Sequence, residues 1–388
     1  MKPSAGTRLV ISHAMAATAM SMPWPALLAA VWSSTHSDLL LGVTGALRML
    51  PYIALSAFSG MLADRVRRST VIRSSTALRV ALLAGSALAL QMQELVVAVG
   101  LAVLTVAMGT PAYPAAAAAM PSLAGDRSSR LTSFLVTAEV SAFVVGPALG
   151  GLLVAVGGQA WAIPASAVIT LLALVLLARV RTGPIAQVVV PADRGRLRTV
   201  LQCRGVPLVI SVVVVVNLVL SAASIGLLPL SESSWGSGER GFGIATAALG
   251  FGSLAAPLLQ TVLGLRSSLL AGGAGLAIAG FAPGVAVAAA PLAVTGAAAT
   301  VVECISTDVL QRAVPDHLRA FSLGLTDAAM VTAALLGALL PSVLVSLTGP
   351  SVSFVILGAL LFLTAGFVQL LMSSPSNAPQ SPVKMAVE

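Results

Sequence analysis

The chain has 388 residues, of which 57% are hydrophobic and only 9% are charged. Soluble domains carry about 25% charged residues, so this composition excludes an ordinary soluble protein and indicates a membrane protein. The two cysteines, Cys203 and Cys304, give neither a disulfide framework nor a metal cluster, and we expect no metal and no cofactor.

Apolar runs of about 20 residues, the length of helix that crosses a bilayer, recur along the whole chain. They predict an all-α membrane protein with 12 transmembrane helices in two six-helix halves, residues 1–180 and 207–373. A basic linker, 181–206, joins the halves, and a Pro/Ser-rich tail, 374–388, is predicted to be disordered. The predicted spans are Leu9–Trp32, Leu39–Met61, Val71–Leu90, Leu95–Ala118, Leu131–Val156, Ala160–Ala178, Pro207–Leu230, Phe242–Leu263, Ser268–Val287, Pro291–Leu310, Ser322–Leu347 and Val352–Met372.

Proline pairs predict bends in two of these spans. Pro23 and Pro25 flank Trp24 in the first span, and Pro111 and Pro114 flank Tyr113 in the fourth. Proline removes a helix hydrogen bond, so such positions can open a central cavity between helices.

The net charge of +8 follows the predicted topology. Alternate loops and termini hold 18 of the lysines and arginines, whereas the opposite set holds only Arg240. This positive-inside asymmetry predicts that both termini are cytoplasmic, and the short loops favour a bacterial inner (plasma) membrane. Nucleic-acid binding is not expected, because no basic segment is interleaved with stacking aromatic residues.

A sequence signature lies between the second and third spans. Residues 60–68 read Gly-Met-Leu-Ala-Asp-Arg-Val-Arg-Arg, which resembles the Gly-x-Leu-Ala-Asp-Arg-x-Gly-Arg-Arg loop of the major facilitator superfamily (MFS). The resemblance implies a gating motif made by Gly60, Asp64, Arg65 and Arg68. We expect Asp64 to pair with an arginine or to meet the N-terminal end of a neighbouring helix. Arg67 replaces the second glycine of the pattern, so the turn must form without it.

The fifth span carries a second such signature. Its residues 146–151, Gly-Pro-Ala-Leu-Gly-Gly, are similar to the Gly-Pro-x-x-Gly-Gly motif of antiporters in the same superfamily. Glycine lets a second helix approach closely, and proline disrupts one backbone hydrogen bond. Gly146, Pro147, Gly150 and Gly151 therefore predict a hinge or close-packing face, with general small-residue packing as the alternative.

Charged residues inside the predicted spans are few, and each costs about 2.5–3.5 kcal/mol at the bilayer centre. Glu139 precedes Gly146 by two helical turns on one face and is the main candidate for proton exchange. The alternative is an Arg48–Glu139 ion pair that only tethers two helices. The other candidates for proton coupling or substrate binding are Arg48, Glu303, Asp327, Tyr52 and Asn217.

Asp308, Asp327 and His13 are predicted to stabilise contacts within or between helices. Asp308 and Asp327 lie near the arginine-rich ends of their spans, and pairing with Arg312 or Arg319 is predicted. His13, in the first span, is interpreted as a hydrogen-bonded residue at a helix interface, with a proton relay as the alternative.

These features predict a secondary transporter that works by alternating access and exports a lipophilic drug or metabolite in exchange for protons. The alternatives are a proton-coupled importer of a small metabolite and, less favoured, a transport-inactive receptor or scaffold. Enzymatic activity is not expected, because the chain has no catalytic motif and its only lysines, Lys2 and Lys384, exclude a phosphate-binding Gly-Lys-Ser/Thr loop. The predicted partners are a small-molecule substrate, protons and the lipid bilayer, and a monomer is expected.

Overall fold

A computed structural model describes residues 4–36, 38–183 and 194–373. All regular secondary structure in these ranges is helical, so the predicted all-α fold is confirmed. The predicted disordered tail, 374–388, lies outside the described residues, as does the centre of the predicted linker.

The chain forms two compact units, Met1–Val190 with Pro315–Ala328, and Pro191–Val314 with Ala329–Glu388. The long helix α16 (Asp316–Thr348) begins in the first unit and continues in the second. The predicted domain boundaries stay a prediction. The other helices of the first unit are α1 (Ala5–Ser21), α2 (Pro23–Thr35), α3 (Asp38–Leu47), α4 (Leu50–Arg65), α5 (Arg68–Gln91), α6 (Leu95–Gly109), α7 (Ala112–Ala124), α8 (Ser128–Gly157) and α9 (Gln159–Leu177). Those of the second unit are α10 (Arg194–Gln202), α11 (Val206–Pro229), α12 (Gly238–Ser253), α13 (Ala256–Leu259), α14 (Leu265–Gly280), α15 (Val285–Ala313) and α17 (Pro350–Ser373).

Within the described residues, eight helical stretches are long and apolar enough to cross a membrane, or nine if a bent pair, Val43–Ser56 with Phe58–Arg65, forms one span. One of the eight, Leu95–Val154, covers the predicted fourth span and all but the last two residues of the predicted fifth. The predicted eighth and ninth spans only partly overlap two shorter apolar helices, Gly241–Ser253 and Leu265–Gly280. The chain is therefore a multi-pass membrane protein, and the number twelve stays a prediction.

Proline explains where several helices stop. Helix α1 ends just before Pro23, and α6 ends just before Pro111, at the positions where the sequence predicts interruptions. Pro51 lies in the first turn of α4, where its missing N–H costs no hydrogen bond. The turn before it, Arg48 and Met49, separates α3 from α4. Arg48 therefore lies in a short turn between two helical segments.

Close packing in the second unit depends on small residues. A Cβ atom on Gly273 of α14 would lie 2.8 Å from the carbonyl oxygen of Gly358 of α17, and one on Gly358 would lie 2.5 Å from that of Gly273. Each glycine thus allows the backbone of the other helix to come close. Nearby, the ring of Phe354 is fully buried in the same core.

The end of the basic linker is a helix. Residues 194–202, within the predicted basic linker, form α10. Leu197, Val200 and Leu201 recur at helical spacing between the arginines, which is the pattern of a short amphipathic helix. Gly205, with φ of 81°, makes the turn into α11.

Candidate functional site

A buried acid–imidazole pair connects α1 and α8 in the first unit. The Nε2 atom of His13 lies 2.7 Å from Oε2 of Glu139, and the side chains are 7% and 16% exposed. The ring of Tyr113 lies against the imidazole, with ring centres 5.8 Å apart. His13 is thus a hydrogen-bonded residue at a helix interface, as the sequence interpretation holds, and its partner is the main predicted proton carrier.

Glu139 and the glycine motif face the same helix, as predicted. A Cβ atom on Gly146 would lie 2.5 Å from Cβ of Ser21 and 2.6 Å from the carbonyl oxygen of Thr18, both in α1. One on Gly150 would overlap the carbonyl oxygen of Met22, just past the end of α1. Two of the glycines are therefore required for the close approach of α1 and α8.

The other two members of the motif behave differently. A Cβ atom on Gly151 would have no heavy atom within 4 Å, so this glycine makes no close approach to a neighbouring helix. Pro147 lies inside α8, which runs unbroken from Ser128 to Gly157. The motif thus acts as a packing face through Gly146 and Gly150, and its role as a hinge stays a prediction.

Arg48 is held by two aromatic rings and a hydroxyl group. Its guanidinium carbon lies 5.6 Å from the ring centre of Trp24 and 5.7 Å from that of Phe143. Its Nη2 donates to Oγ of Ser21 at 3.2 Å. No carboxylate of the described residues lies within ion-pair distance of it. The predicted alternative of an Arg48–Glu139 tether is therefore wrong.

Tyr52 extends this aromatic cluster from α4. Its ring centre lies 6.1 Å from that of Phe143, and its side chain is buried. The hydroxyl has no hydrogen-bond partner among the described residues. The Tyr52 hydroxyl is therefore buried, and its O–H has no hydrogen-bond acceptor among the described residues.

Asp327 and Asp308 have different partners. Oδ2 of Asp327, in α16, accepts the hydroxyl proton of Ser56 in α4 at 2.5 Å, so the predicted pairing with an arginine is wrong for this residue. Asp308 lies 2.9 Å from Arg312 one turn along α15, as predicted. Only the first of these two acids therefore joins the polar residues of the first unit.

Two predicted candidates lie in the second unit. Asn217 donates its Nδ2 hydrogen to the carbonyl oxygen of Val213, one turn earlier in α11, at 3.0 Å. Glu303 is partly buried in α15. Neither belongs to the first unit, which contains Arg48, Tyr52, Glu139 and Asp327.

The gating motif meets the start of α16. The carboxylate of Asp64 accepts the backbone N–H groups of Ala320 and Phe321 at 2.9 and 2.7 Å. It also lies 3.8 Å from Nη2 of Arg68, whereas Arg65 is exposed. Asp64 is therefore buried against the N-terminal part of a neighbouring helix, where two backbone N–H groups and Arg68 favour the carboxylate.

Arg68 and Gly60 complete this contact. Arg68 donates to the carbonyl oxygen of Ala118, and to Oδ1 and the carbonyl oxygen of Asp316, at 2.9, 2.9 and 2.6 Å. A Cβ atom on Gly60 would overlap the carbonyl group of Ala320. The glycine of the motif is thus needed for α4 to reach α16. We call these contacts of Gly60, Asp64 and Arg68 with the start of α16 the α4–α16 clamp.

The turn that precedes α5 does not need the missing glycine. Arg67 has φ of −49° and ψ of 121°, an extended conformation that any residue adopts. The replacement of glycine by arginine at this position is therefore compatible with the loop.

Two participants were missed by the sequence analysis. Asp316 joins Arg68 and Arg319, with its Oδ1 at 2.9 and 2.5 Å from them; its position in the first turn of a helix was the available signal. Phe143 was missed because a phenylalanine in an apolar span has no distinguishing pattern. Within the described residues, no group of three or more His, Cys, Asp or Glu side chains is placed to hold a metal ion.

A family model described as the Major Facilitator Superfamily matches residues 9–326. The chain belongs to the major facilitator superfamily. Members of this superfamily are membrane transporters rather than enzymes; they bind small molecules, and many couple to protons. A search of curated proteins found no match.

Solved structures of MFS transporters share this fold. The human organic anion transporter MFSD10 (TETRAN) has a TM-score of 0.75 at 15% identity, with 95% of this chain and 100% of that chain covered. A bacterial homologue of the iron transporter ferroportin, in an outward-facing state, has a TM-score of 0.71 at 17% identity, with 95% of this chain and 98% of that chain covered. The E. coli fucose:proton symporter FucP has a TM-score of 0.72 at 12% identity, with 92% of this chain and 97% of that chain covered. At these identities the likeness concerns the fold alone.

Proposed function

We propose that this MFS transporter exports a lipophilic small molecule, a drug or a metabolite, in exchange for protons by alternating access. It acts as a monomer in a bacterial inner membrane with both termini in the cytoplasm, as the arginine distribution favours. The observation that carries the proposal is the His13–Glu139 pair, an acid and a base 2.7 Å apart in the interior of an apolar helical unit.

The pair is suited to hold an exchangeable proton. A charged group in such surroundings is costly and needs a partner, and the imidazole provides one in either protonation state of the pair. A proton shared between Nε2 and Oε2 leaves when the carboxylate or imidazole finds another partner or becomes hydrated. In the proposed cycle, arrival of the substrate beside the pair favours that loss, and return of the proton favours release of the substrate.

The surroundings of the pair support a lipophilic substrate. The ring of Tyr113 lies against His13. Trp24 and Phe143 lie against Arg48, and Tyr52 packs against Phe143. Aromatic faces bind apolar ring systems with little loss of side-chain entropy. The energy of coupling is adequate, since one proton moving across 100 mV releases about 2.3 kcal/mol, enough for a roughly 50-fold gradient.

The α4–α16 clamp supports a conformational cycle. Its hydrogen bonds join charged side chains to buried backbone groups, and each such bond is worth about 1.5–3 kcal/mol. We propose that the clamp stabilises one of the alternating states and is broken in the other. The resemblance of its residues to the superfamily's gating loop favours the same role.

A second function is favoured by one observation, the lack of a carboxylate partner for Arg48 in the described part of the chain. A half-buried guanidinium without a counter-ion suits the carboxylate or phosphate of a metabolite. A bound anion would also favour protonation of the nearby acid–imidazole pair. Proton symport of an acidic metabolite into the cell is therefore the alternative.

Inside-out vesicles that contain the protein and a lumenal pH dye distinguish these functions. The vesicles are energised and given lipophilic cations, neutral antibiotics, sugars and organic acids in turn. Export by antiport predicts proton efflux from the lumen with one lipophilic class, and its loss in Glu139→Gln. The matched control is Glu94→Gln, which removes an exposed acid at the start of α6. Proton movement in the opposite direction with organic acids would favour symport, and an unaltered response in Glu139→Gln would refute the assigned role of the pair.

A further inference from the structure

The short helix α10 has an unusual surface for a segment between membrane spans. It is joined to α11 by only three residues, Cys203, Arg204 and Gly205. Helix α11 begins at Val206 and is one of the stretches that can cross the membrane. The chain connection therefore holds α10 at the level where α11 enters the bilayer.

One side of α10 combines exposed leucines with exposed arginine. Leu197 and Leu201, one turn apart, are 42% and 43% exposed. Arg198 is exposed and lies next to Leu201 around the helix, whereas Val200 and Arg196 are buried on the other side. Exposed leucines beside arginines are the pattern of a helix that lies in the interface of a membrane, with its leucines at the boundary of the acyl chains.

The charge of this segment is entirely positive. Residues 194–204 contain four arginines, at 194, 196, 198 and 204, and no acidic residue, and the next acid along the chain is Glu232. Basic clusters directly beside a transmembrane helix attract anionic lipids, because each basic group near the surface contributes to the attraction. A purely topological role for the arginines would not require exposed leucines between them.

We propose that α10 lies on the bilayer surface and binds the headgroups of anionic phospholipids. Arg198 and Arg204 contact the headgroup phosphates, while Leu197 and Leu201 enter the interface between headgroups and acyl chains. Zwitterionic lipids have no net charge to match the segment and bind less well. This lipid site is independent of the substrate, the coupling ion and the direction of transport.

The native cysteine at the end of α10 provides a local probe. Cys203 is partly exposed and Cys304 is buried, so Cys304→Ala leaves one thiol for a fluorescent dye. Burial raises the pKa of the Cys203 thiol, so the dye is attached at mildly alkaline pH. The labelled full-length protein is placed in nanodiscs of phosphatidylcholine, and lipids with a nitroxide headgroup, either phosphatidylglycerol or phosphatidylcholine, are titrated in as quenchers.

The proposal predicts that nitroxide phosphatidylglycerol quenches the dye at lower mole fraction than nitroxide phosphatidylcholine. Changing Arg198 and Arg204 together to Gln should raise the phosphatidylglycerol fraction needed for half quenching by about 25-fold, or about 5-fold for each arginine. Changing both to Lys should preserve the preference, because the charge is retained. The matched control changes two exposed arginines of the first unit, Arg127 and Arg130, to Gln and should leave it unchanged.

Other outcomes would overturn the proposal. Equal quenching by the two lipids would mean that α10 does not select anionic headgroups. A preference that survives in the Arg198→Gln/Arg204→Gln protein would assign the selectivity to another part of the chain. Loss of the preference on addition of millimolar glycerol phosphate, without any change in membrane lipid, would indicate a site for soluble phosphates instead. Leu197→Ser with Leu201→Ser should weaken quenching by both lipids, and unchanged quenching would contradict insertion of the helix.

Discussion

The clearest quantitative prediction concerns Asp64 in the α4–α16 clamp. Its two carboxylate oxygens accept two backbone N–H groups, those of Ala320 and Phe321, in a buried site. In Asp64→Asn the side chain keeps its shape, but its NH₂ group cannot accept a hydrogen bond. One buried N–H therefore loses its acceptor, and the attraction to Arg68 is lost as well.

The size of the effect follows from that single unsatisfied donor. Leaving a buried donor without a partner costs about 1–3 kcal/mol, which changes the equilibrium between clamped and open states by about 5- to 150-fold. Hydrogen exchange measured by mass spectrometry on peptides that cover the first turns of α16 reports this opening directly. We expect the amides around Ala320 and Phe321 to exchange faster by this factor in Asp64→Asn.

A matched variant isolates the contact. Asp126→Asn changes an exposed aspartate in the turn before α8 and should leave the exchange of α16 unchanged. Equal exchange in wild-type and Asp64→Asn proteins would show that Asp64 does not hold the start of α16.

Three further predictions concern close packing and the acid–imidazole pair. Gly150→Ala should destabilise the protein by about 1–3 kcal/mol, because the new methyl group would overlap the backbone at the end of α1. Gly151→Ala should be neutral or slightly stabilising. Thermal unfolding in detergent compares the two variants, and equal melting temperatures would contradict the packing role of Gly150. Gly60→Ala should speed exchange at the start of α16 as Asp64→Asn does, because the new methyl group keeps α4 away, and unchanged exchange would argue against that close approach. A double-mutant cycle of His13→Ala and Glu139→Gln should give a coupling energy of about 0.5–3 kcal/mol in unfolding experiments; strict additivity would show that the pair contributes nothing to stability.

The sequence predicts the helices well, because the hydropathy of a 20-residue run depends only on that run and shows whether it can cross a bilayer. Every backbone polar group in a bilayer must be satisfied within its own helix, so long apolar runs determine helices. Prolines such as Pro23 and Pro111 mark breaks for an equally local reason. The Asp64 contact with a helix start could also be anticipated, since a buried carboxylate has few other favourable partners.

Side-chain partners were harder to predict, because they depend on which helices lie side by side. Opposite charge gives an Arg48–Glu139 pair as the alternative to proton exchange, yet Glu139 meets His13 and Arg48 meets two aromatic rings. Asp327 was assigned an arginine and instead accepts a hydroxyl proton from α4. By contrast, Asp308 and Arg312 are one turn apart on one helix, and this local pairing was predicted correctly.

In the proposed cycle, substrate and proton compete at the His13–Glu139 pair. The most direct measurement is the proton balance of substrate binding to the purified transporter in detergent, followed with a pH dye in weak buffer. We expect release of about one proton per bound substrate molecule, and no release from Glu139→Gln protein that still binds substrate. Binding without proton release, or with proton uptake, would contradict antiport.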